Sequence, residues 1–170
     1  MQADYPDDWF DFTESQLADF GAMMFLSSLV KVHQRRTLLS NFRSFETPWR
    51  LGQYHIFRAT NGSPRAFMTY AALSEEAERA YALDQHPIEP EDWAAGQAVW
   101  IIDLVAPFGQ VPQIVEMIKR DAPFQRVRTN RLTADMETQR IVEWVRDAEG
   151  KVHMSVIRPR DFRTVAELEA

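Results

Sequence analysis

The sequence predicts a single domain of the α/β (α+β) class, in which a mixed sheet is flanked by helices. Helical and strand patterns follow one another along the chain, as expected when helices cover a sheet. The apolar run from Trp100 to Ala106, interrupted only at Asp103, is typical of a buried strand. The 170 residues, 45% of them hydrophobic, suffice for one core and contain no repeat or linker.

The elements are assigned in chain order from periodicity and from turn and cap signals. Thr13 and Gln16 fit a capping box that opens the first helix, and Asn61-Gly62 is typical of a hairpin turn. We expect a tail over 1–12 and the folded domain over 13–170. The patterns predict helices over 14–38, 75–83, 111–120 and 161–170, and strands over 53–60, 65–73, 98–106, around 126–131, 138–146 and 152–159.

Composition excludes several classes of protein. The chain has no cysteine, which excludes disulfides and cysteine-based zinc sites and favours an intracellular location. A net charge of −6 argues against general nucleic-acid binding. The acidic N-terminus lacks the basic region of a signal peptide, and the apolar stretch 22–32 is too short to span a bilayer. We therefore expect a cytoplasmic protein without a transmembrane segment.

Common catalytic motifs are absent from the sequence. It contains no Walker A sequence, no G-x-G-x-x-G and no G-x-S-x-G elbow, so we expect no nucleotide cofactor. The histidines lack metal-ligand spacing, and we expect no metal. Ordinary structural roles are expected for His55, His86 and His153. His33, at the end of the first predicted helix, and Asp103, near the end of a buried strand, remain as candidates.

His33 and Asp103 could form a general-base pair, in which a carboxylate supports an imidazole. Spacing alone leaves simpler roles open, with His33 capping helix carbonyls and Asp103 bonded to backbone amides or an arginine. A basic cluster of Lys31, Arg35 and Arg36 surrounds His33, either as a solvated face or as a docking site.

Two runs lie close together in the middle of the chain: Trp93-Ala-Ala-Gly96 and Trp100-Ile-Ile-Asp103-Leu-Val-Ala106-Pro107-Phe108-Gly109. Together they resemble the signature of the RTX toxin-activating lysine acyltransferases of Gram-negative bacteria. The segments Ala71-Ala-Leu-Ser-Glu-Glu76 and Glu91-Asp-Trp93 agree with this resemblance, which is most specific over residues 65–110.

The resemblance implies a variant of the GCN5-related N-acetyltransferase fold. It also implies transfer of a fatty acyl chain from acyl-acyl carrier protein to internal lysines of an RTX protoxin, with no separate cofactor. The family's catalytic histidine falls on His33, twelve residues after Gly21, and its required aspartate falls on Asp103. Because acyl carrier proteins are acidic, we hypothesise that Lys31, Arg35 and Arg36 form part of the landing site of the carrier protein. Dimers are known in the family, so a homodimer is one expected arrangement.

Around His33 the sequence departs from the family pattern Ser-Pro-Leu-His-Arg-x-Trp-Pro. Val30 replaces the family's serine, so no role for that hydroxyl can be carried over. Two other functions stay open: a non-catalytic module that binds the carrier protein or protoxin, and an acyltransferase or thioesterase for another substrate.

Overall fold

A computed structural model describes residues 12–121, 123–132 and 139–170. The predicted tail therefore lies outside the described residues, except for Phe12. The helices are α1 (Glu14–Ser28), α2 (Lys31–Gln34), α3 (Leu38–Arg50), α4 (Glu75–Asp84), α5 (Val111–Asp121) and α6 (Val165–Glu169). The strands are β1 (Tyr54–Arg58), β2 (Pro64–Leu73), β3 (Ala98–Val105), β4 (Arg126–Leu132), β5 (Gln139–Arg146) and β6 (Val152–Ile157).

The strands form one mixed six-stranded sheet in the order β1-β2-β3-β4-β5-β6. All neighbours are antiparallel except β3 and β4, which are parallel and are joined through helix α5. The parallel pair is short, because only Trp100 and Ile101 pair with Arg128 and Thr129. The parallel pairing does not extend to the other residues of the two strands. This mixed, helix-flanked sheet confirms the predicted class and is consistent with a GCN5-related N-acetyltransferase fold.

A β-bulge in β3 directs Asp103. Thr69 on β2 pairs with Asp103, whereas Tyr70 pairs with Ile101, so Ile102 is the extra residue on β3. Bulges of this kind redirect side chains and often occur beside functional sites. The Thr69 hydroxyl accepts a hydrogen bond from the Asp103 amide at 3.1 Å and donates one to Asp103 Oδ2 at 3.2 Å. The bulge thus holds Asp103 just past the residues of β3 that pair with β4.

Three buried apolar clusters fix the helices to the sheet. The first surrounds Trp100, and the second places Ile114 and Ile118 of α5 against Ile101 and Val127. The third joins the N-terminal helices to the sheet; its buried members are Met23, Leu26, Phe45, Phe67 and Val105. Through the third cluster, α1 and α3 lie over the end of β3 that carries Asp103.

A buried charge network ties the C-terminal part of the chain to the core. Arg128, only 1% exposed, donates to Glu78 Oε1 at 2.6 Å and to Glu143 Oε2 at 2.8 Å. Glu78 also accepts from Trp100 Nε1 at 2.9 Å and from the Val165 amide that begins α6. Since charges this deeply buried are stable only when they are paired, the network holds α4, the sheet and α6 together.

The prediction of one helix over 14–38 is wrong. Helix α1 ends at Ser28, where Ser27 and Ser28 bond back to carbonyls three residues earlier, and Val30 is extended, with φ −112° and ψ 129°. Such back-bonding competes with helix continuation. The prediction also missed α3, which is capped by Thr37 and contains Pro48 in its last turn. The turn at 29–30 folds α2 and α3 back over the sheet.

The other predicted elements are confirmed with small changes at their ends. The capping box at Thr13 is present, and the hairpin turn falls at Asn61-Gly62. The last helix is shorter than predicted and begins at Val165, after a single 3₁₀ turn at Pro159–Asp161.

Candidate active site

His33 lies in the short helix α2 and is 5% exposed. Its ring centroid is 5.5 Å from that of Phe45, a buried residue of α3. The chain reversal at Val30 turns α2 inward, so that His33 faces the sheet while Lys31 and Arg35 stay exposed. The predicted helix-end histidine is thus a buried one.

The structure brings together the two predicted site residues, which are 70 positions apart in the sequence. His33 Nε2 lies 4.0 Å from Asp103 Oδ1. This separation is too long for a hydrogen bond but short enough for a strong electrostatic interaction. The other Asp103 oxygen is held by the Thr69 hydroxyl, so Oδ1 is the oxygen that faces the imidazole.

Asn41 of α3 holds the opposite side of the imidazole. Its Nδ2 donates to the His33 carbonyl at 3.1 Å, and its Oδ1 lies 3.4 Å from His33 Nδ1, at the long end of hydrogen bonding. Because a backbone carbonyl can only accept, the amide nitrogen must face it and the amide oxygen must face the ring. Asn41 therefore favours the tautomer with the proton on Nδ1, in which the Nε2 lone pair of the neutral ring faces Asp103.

Sequence reasoning missed Asn41. The asparagine becomes a neighbour of His33 only because α2 and α3 are separate helices, and the sequence prediction merged the first of them into α1. A Thr37 cap followed by an amphipathic stretch was the available signal for α3.

Burial shifts both ionisable groups of the pair toward their neutral forms. It lowers the pKa of His33 below the ordinary value of 6.5, an effect that the charge of Asp103 partly opposes. Burial also raises the pKa of Asp103 above 3.8, opposed by the nearby charges of His33 and Arg36. A histidine that stays unprotonated near neutral pH is available as a base.

A cleft of about 650 Å³ opens beside the pair. Asp103 and Ile102, the bulged residue, form part of its wall, whereas His33 does not line it. Other residues come from α3, from Tyr81 of α4 and from the loop before β3. Its full lining is Arg36, Thr37, Leu39, Ser40, Arg43, Ser44, Thr47, Tyr81, Pro87, Ile88, Pro90, Trp93, Ile102 and Asp103.

The predicted basic cluster divides between the cleft and the outer surface. Arg36 lines the cleft, and its charge acts on both His33 and Asp103. Lys31 and Arg35 are exposed nearby and do not line the cleft.

The remaining histidines lie away from this pair. His55 and His86 are exposed, and His153 contacts Asp147 at 2.7 Å at the exposed end of the β5–β6 hairpin. Across residues 12–121, 123–132 and 139–170, no three histidine or acidic side chains are placed to hold a metal ion. In the same ranges no helix has the length and apolar character to cross a membrane.

Comparison with known proteins places this site in a family. The model of the RTX toxin acyltransferase family matches residues 12–145, which includes every element from α1 to most of β5. The chain belongs to the RTX toxin acyltransferase family. The match extends on both sides of the 65–110 segment that carries the sequence resemblance, and it includes His33, Asn41 and Asp103.

Curated relatives carry consistent names. The chain is 28% identical to the lysine-acyltransferase RtxC of Vibrio cholerae over 129 residues, covering 74% of this chain and 84% of the relative. It is 27% identical to the protein-lysine myristoyltransferase RtxC of Kingella kingae, covering 68% and 70%. It is also 38% identical to a leukotoxin-activating lysine-acyltransferase of Mannheimia haemolytica, over 46% of this chain and 47% of the relative.

Proposed function

We propose that this acyltransferase moves a fatty acyl chain from acyl-acyl carrier protein to the ε-amino group of internal lysines of an RTX protoxin. The observation that carries the proposal is the 4.0 Å approach of buried His33 to Asp103, which lines the wall of a large cleft. The names of the relatives support a lysine as acceptor and a toxin as substrate.

The acceptor amine must lose a proton before it can attack. A lysine with a pKa near 10.4 is neutral in only about one molecule in a few thousand at pH 7. His33 Nε2 and Asp103 Oδ1 lie 4.0 Å apart. One nitrogen can lie within hydrogen-bonding distance, about 2.8–3.2 Å, of both atoms at once. The lysine nitrogen can therefore donate both to the Nε2 lone pair of His33 and to Oδ1 of Asp103.

In this mechanism the ammonium group first binds against Asp103 and releases one proton to solvent. The neutral nitrogen attacks the thioester carbonyl, so that a C–N bond forms and the C–S bond breaks. His33 Nε2 takes a second proton from the nitrogen and returns it to the departing thiolate. Asp103 stabilises the imidazolium that exists between these two transfers, and general-base catalysis of this kind contributes about 10²–10⁴ in rate.

The basic cluster of Lys31, Arg35 and Arg36 suits an acidic carrier protein, since it is exposed beside the cleft. Charge reversal in Arg35→Glu/Arg36→Glu should raise the KM for acyl-acyl carrier protein. The same reversal at Arg160, which is exposed and does not line the cleft, is the matched control. An unchanged KM in the double variant would show that Arg35 and Arg36 do not take part in docking the carrier protein.

Peptide mass spectrometry of an RTX protoxin tests the function directly. Incubation with this chain and acyl-acyl carrier protein should add fatty-acyl mass to lysine peptides. If the protein binds both partners without any mass gain, it is a binding module. If the thioester is consumed while the protoxin stays unmodified, the acceptor is another molecule.

A further inference from the structure

The cleft has two chemically different walls, and this difference identifies the part of the substrate that each receives. One wall is built from α3 and the residues that lead into it, at positions that share a helix face. Apart from Leu39 its residues are polar: Arg36, Thr37, Ser40, Arg43, Ser44 and Thr47. They supply two guanidinium groups and four hydroxyls.

The facing wall is apolar. It comes from α4, the loop before β3 and the bulge, and its residues are Tyr81, Pro87, Ile88, Pro90, Trp93 and Ile102. The single carboxylate among the lining residues is Asp103. A ligand that fills this cleft is therefore amphiphilic, with an apolar chain on one side and a polar, anionic arm on the other.

Arg36 and Arg43 occupy different places along the polar wall. Arg36 is at the reaction centre, because its charge acts on His33 and Asp103. Arg43 is seven residues further on, in the second turn of α3, whereas Arg36 precedes the helix. Among the described residues Arg43 has no ion pair or hydrogen-bonded side-chain partner, so its guanidinium is available to an anion.

We propose that the polar wall binds the phosphopantetheine arm of the thioester donor, with the phosphodiester on Arg43 and the fatty chain against the apolar wall. This inference rests on the proposed acyl transfer. The inference adds to the proposed function a subsite for the acyl donor, at a residue outside the basic docking cluster. The thioester then lies beside Asp103, and the phosphodiester lies beside the second turn of α3. An arginine suits this task because its planar fork binds two phosphate oxygens at once.

The same arm occurs in acyl-acyl carrier protein and in acyl-coenzyme A, so the test uses donors that differ in one part. Acyl-pantetheine lacks the phosphate, acyl-phosphopantetheine has it, and the two larger donors add either the carrier protein or the nucleotide. For Arg43→Gln we expect the KM of every phosphorylated donor to rise about tenfold, the size of one charge-assisted hydrogen bond. The KM for acyl-pantetheine should stay unchanged, and Arg43→Lys should restore part of the loss.

Lys31→Glu/Arg35→Glu, which changes no residue that lines the cleft, distinguishes the source of the arm. If carrier protein is the donor, that variant raises the KM of acyl-acyl carrier protein more than that of acyl-phosphopantetheine. An equal rise for both donors would point to a free thioester such as acyl-coenzyme A as the source of the same arm.

A binding measurement separates this inference from the reaction itself. Titration with phosphopantetheine and with pantetheine, neither of which can react, should show tighter binding of the phosphorylated compound and loss of that preference in Arg43→Gln. Equal binding of both compounds by the wild-type protein, or a preference that survives Arg43→Gln, would overturn the subsite. If binding depends on the phosphate but no donor acylates lysine, the subsite is supported and the proposed function is wrong.

Discussion

Replacing Asn41 tests how the imidazole is oriented. Asn41→Leu keeps the approximate size of the side chain but removes both contacts with His33, at Nδ1 and at the backbone carbonyl. The Nδ1 proton then has no acceptor in a buried position, so the tautomer that presents a lone pair at Nε2 is no longer favoured. We expect a lower rate of acyl transfer and a less stable protein.

The expected losses of kcat and of stability follow from the contacts that Asn41 makes with His33. A net hydrogen bond contributes about 0.5–1.5 kcal/mol, so loss of the Nδ1 bond should lower kcat about two- to tenfold. The long 3.4 Å separation places the effect toward the lower end. The free energy of unfolding should fall by about 1–3 kcal/mol, because a buried donor and a buried carbonyl both lose their partner.

Asn41→Asp is the informative companion variant, since it keeps an acceptor facing Nδ1 and adds a negative charge. The amide of Asn41 already raises the pKa of His33 slightly against the larger effect of burial. The acid limb of the kcat profile should therefore move to higher pH in Asn41→Asp and to lower pH in Asn41→Leu. Single-turnover rates across pH, with ¹⁵N NMR of the imidazole, measure both quantities.

Three results together would refute this orientation of the ring. They are an unchanged kcat in Asn41→Leu, an acid limb that moves in the same direction in both variants, and ¹⁵N shifts that show a proton on Nε2. Loss of stability alone would show only that Asn41 contributes to folding.

The remaining predictions concern the carboxylate and the core. Asp103→Asn removes the charge that raises the pKa of His33, so the acid limb of the rate should move to lower pH while the maximal rate falls; a pH–rate profile checks both. Gly96→Ala should destabilise the protein by about 1–3 kcal/mol in thermal unfolding, because the new Cβ would lie 2.2 Å from the Leu73 carbonyl oxygen. Arg128→Met leaves the buried carboxylate of Glu78 without its ion-pair partner and should cost about 3–5 kcal/mol in denaturant unfolding.

One control variant and one contradicting outcome accompany these predictions. Gly21→Ala lies in α1, where an added Cβ meets nothing within 4 Å, and should stabilise the protein by about 0.5–1 kcal/mol. A loss there equal to that of Gly96→Ala would contradict the steric explanation. For Asp103→Asn, an acid limb that moves to higher pH would show that the carboxylate does not act on His33 through its charge.

The sheet was predictable because its signals are local. The alternation around the Asn61-Gly62 turn and the apolar run of β3 determine which face of each strand is buried, and the structure follows both. The resemblance pointed to Asp103 and His33, and the structure brings them within 4.0 Å. Their catalytic roles remain predictions.

The N-terminal region was not predictable to the same degree. Apolar residues continue through Leu29 and Val30, so periodicity alone extends α1 across the turn that in fact separates α1 from α2. Besides the local back-bonding of Ser27 and Ser28, the turn has a tertiary cause, because Leu26 and Phe45 pack in one cluster on the sheet. The Asn41 contact and the polar wall of the cleft depend on this reversal, which is why neither was found from the sequence.

The most direct test of the central claim is single-turnover acyl transfer by His33→Gln, followed by mass spectrometry of the protoxin lysines across pH. If His33 is the base, the variant should bind acyl-acyl carrier protein normally and transfer the acyl chain about 10²–10⁴-fold more slowly. The acid limb of the wild-type profile, at a pH below 6.5, should also disappear. A variant that transfers at the wild-type rate, or that keeps the same acid limb, would contradict the assignment of His33 as the base.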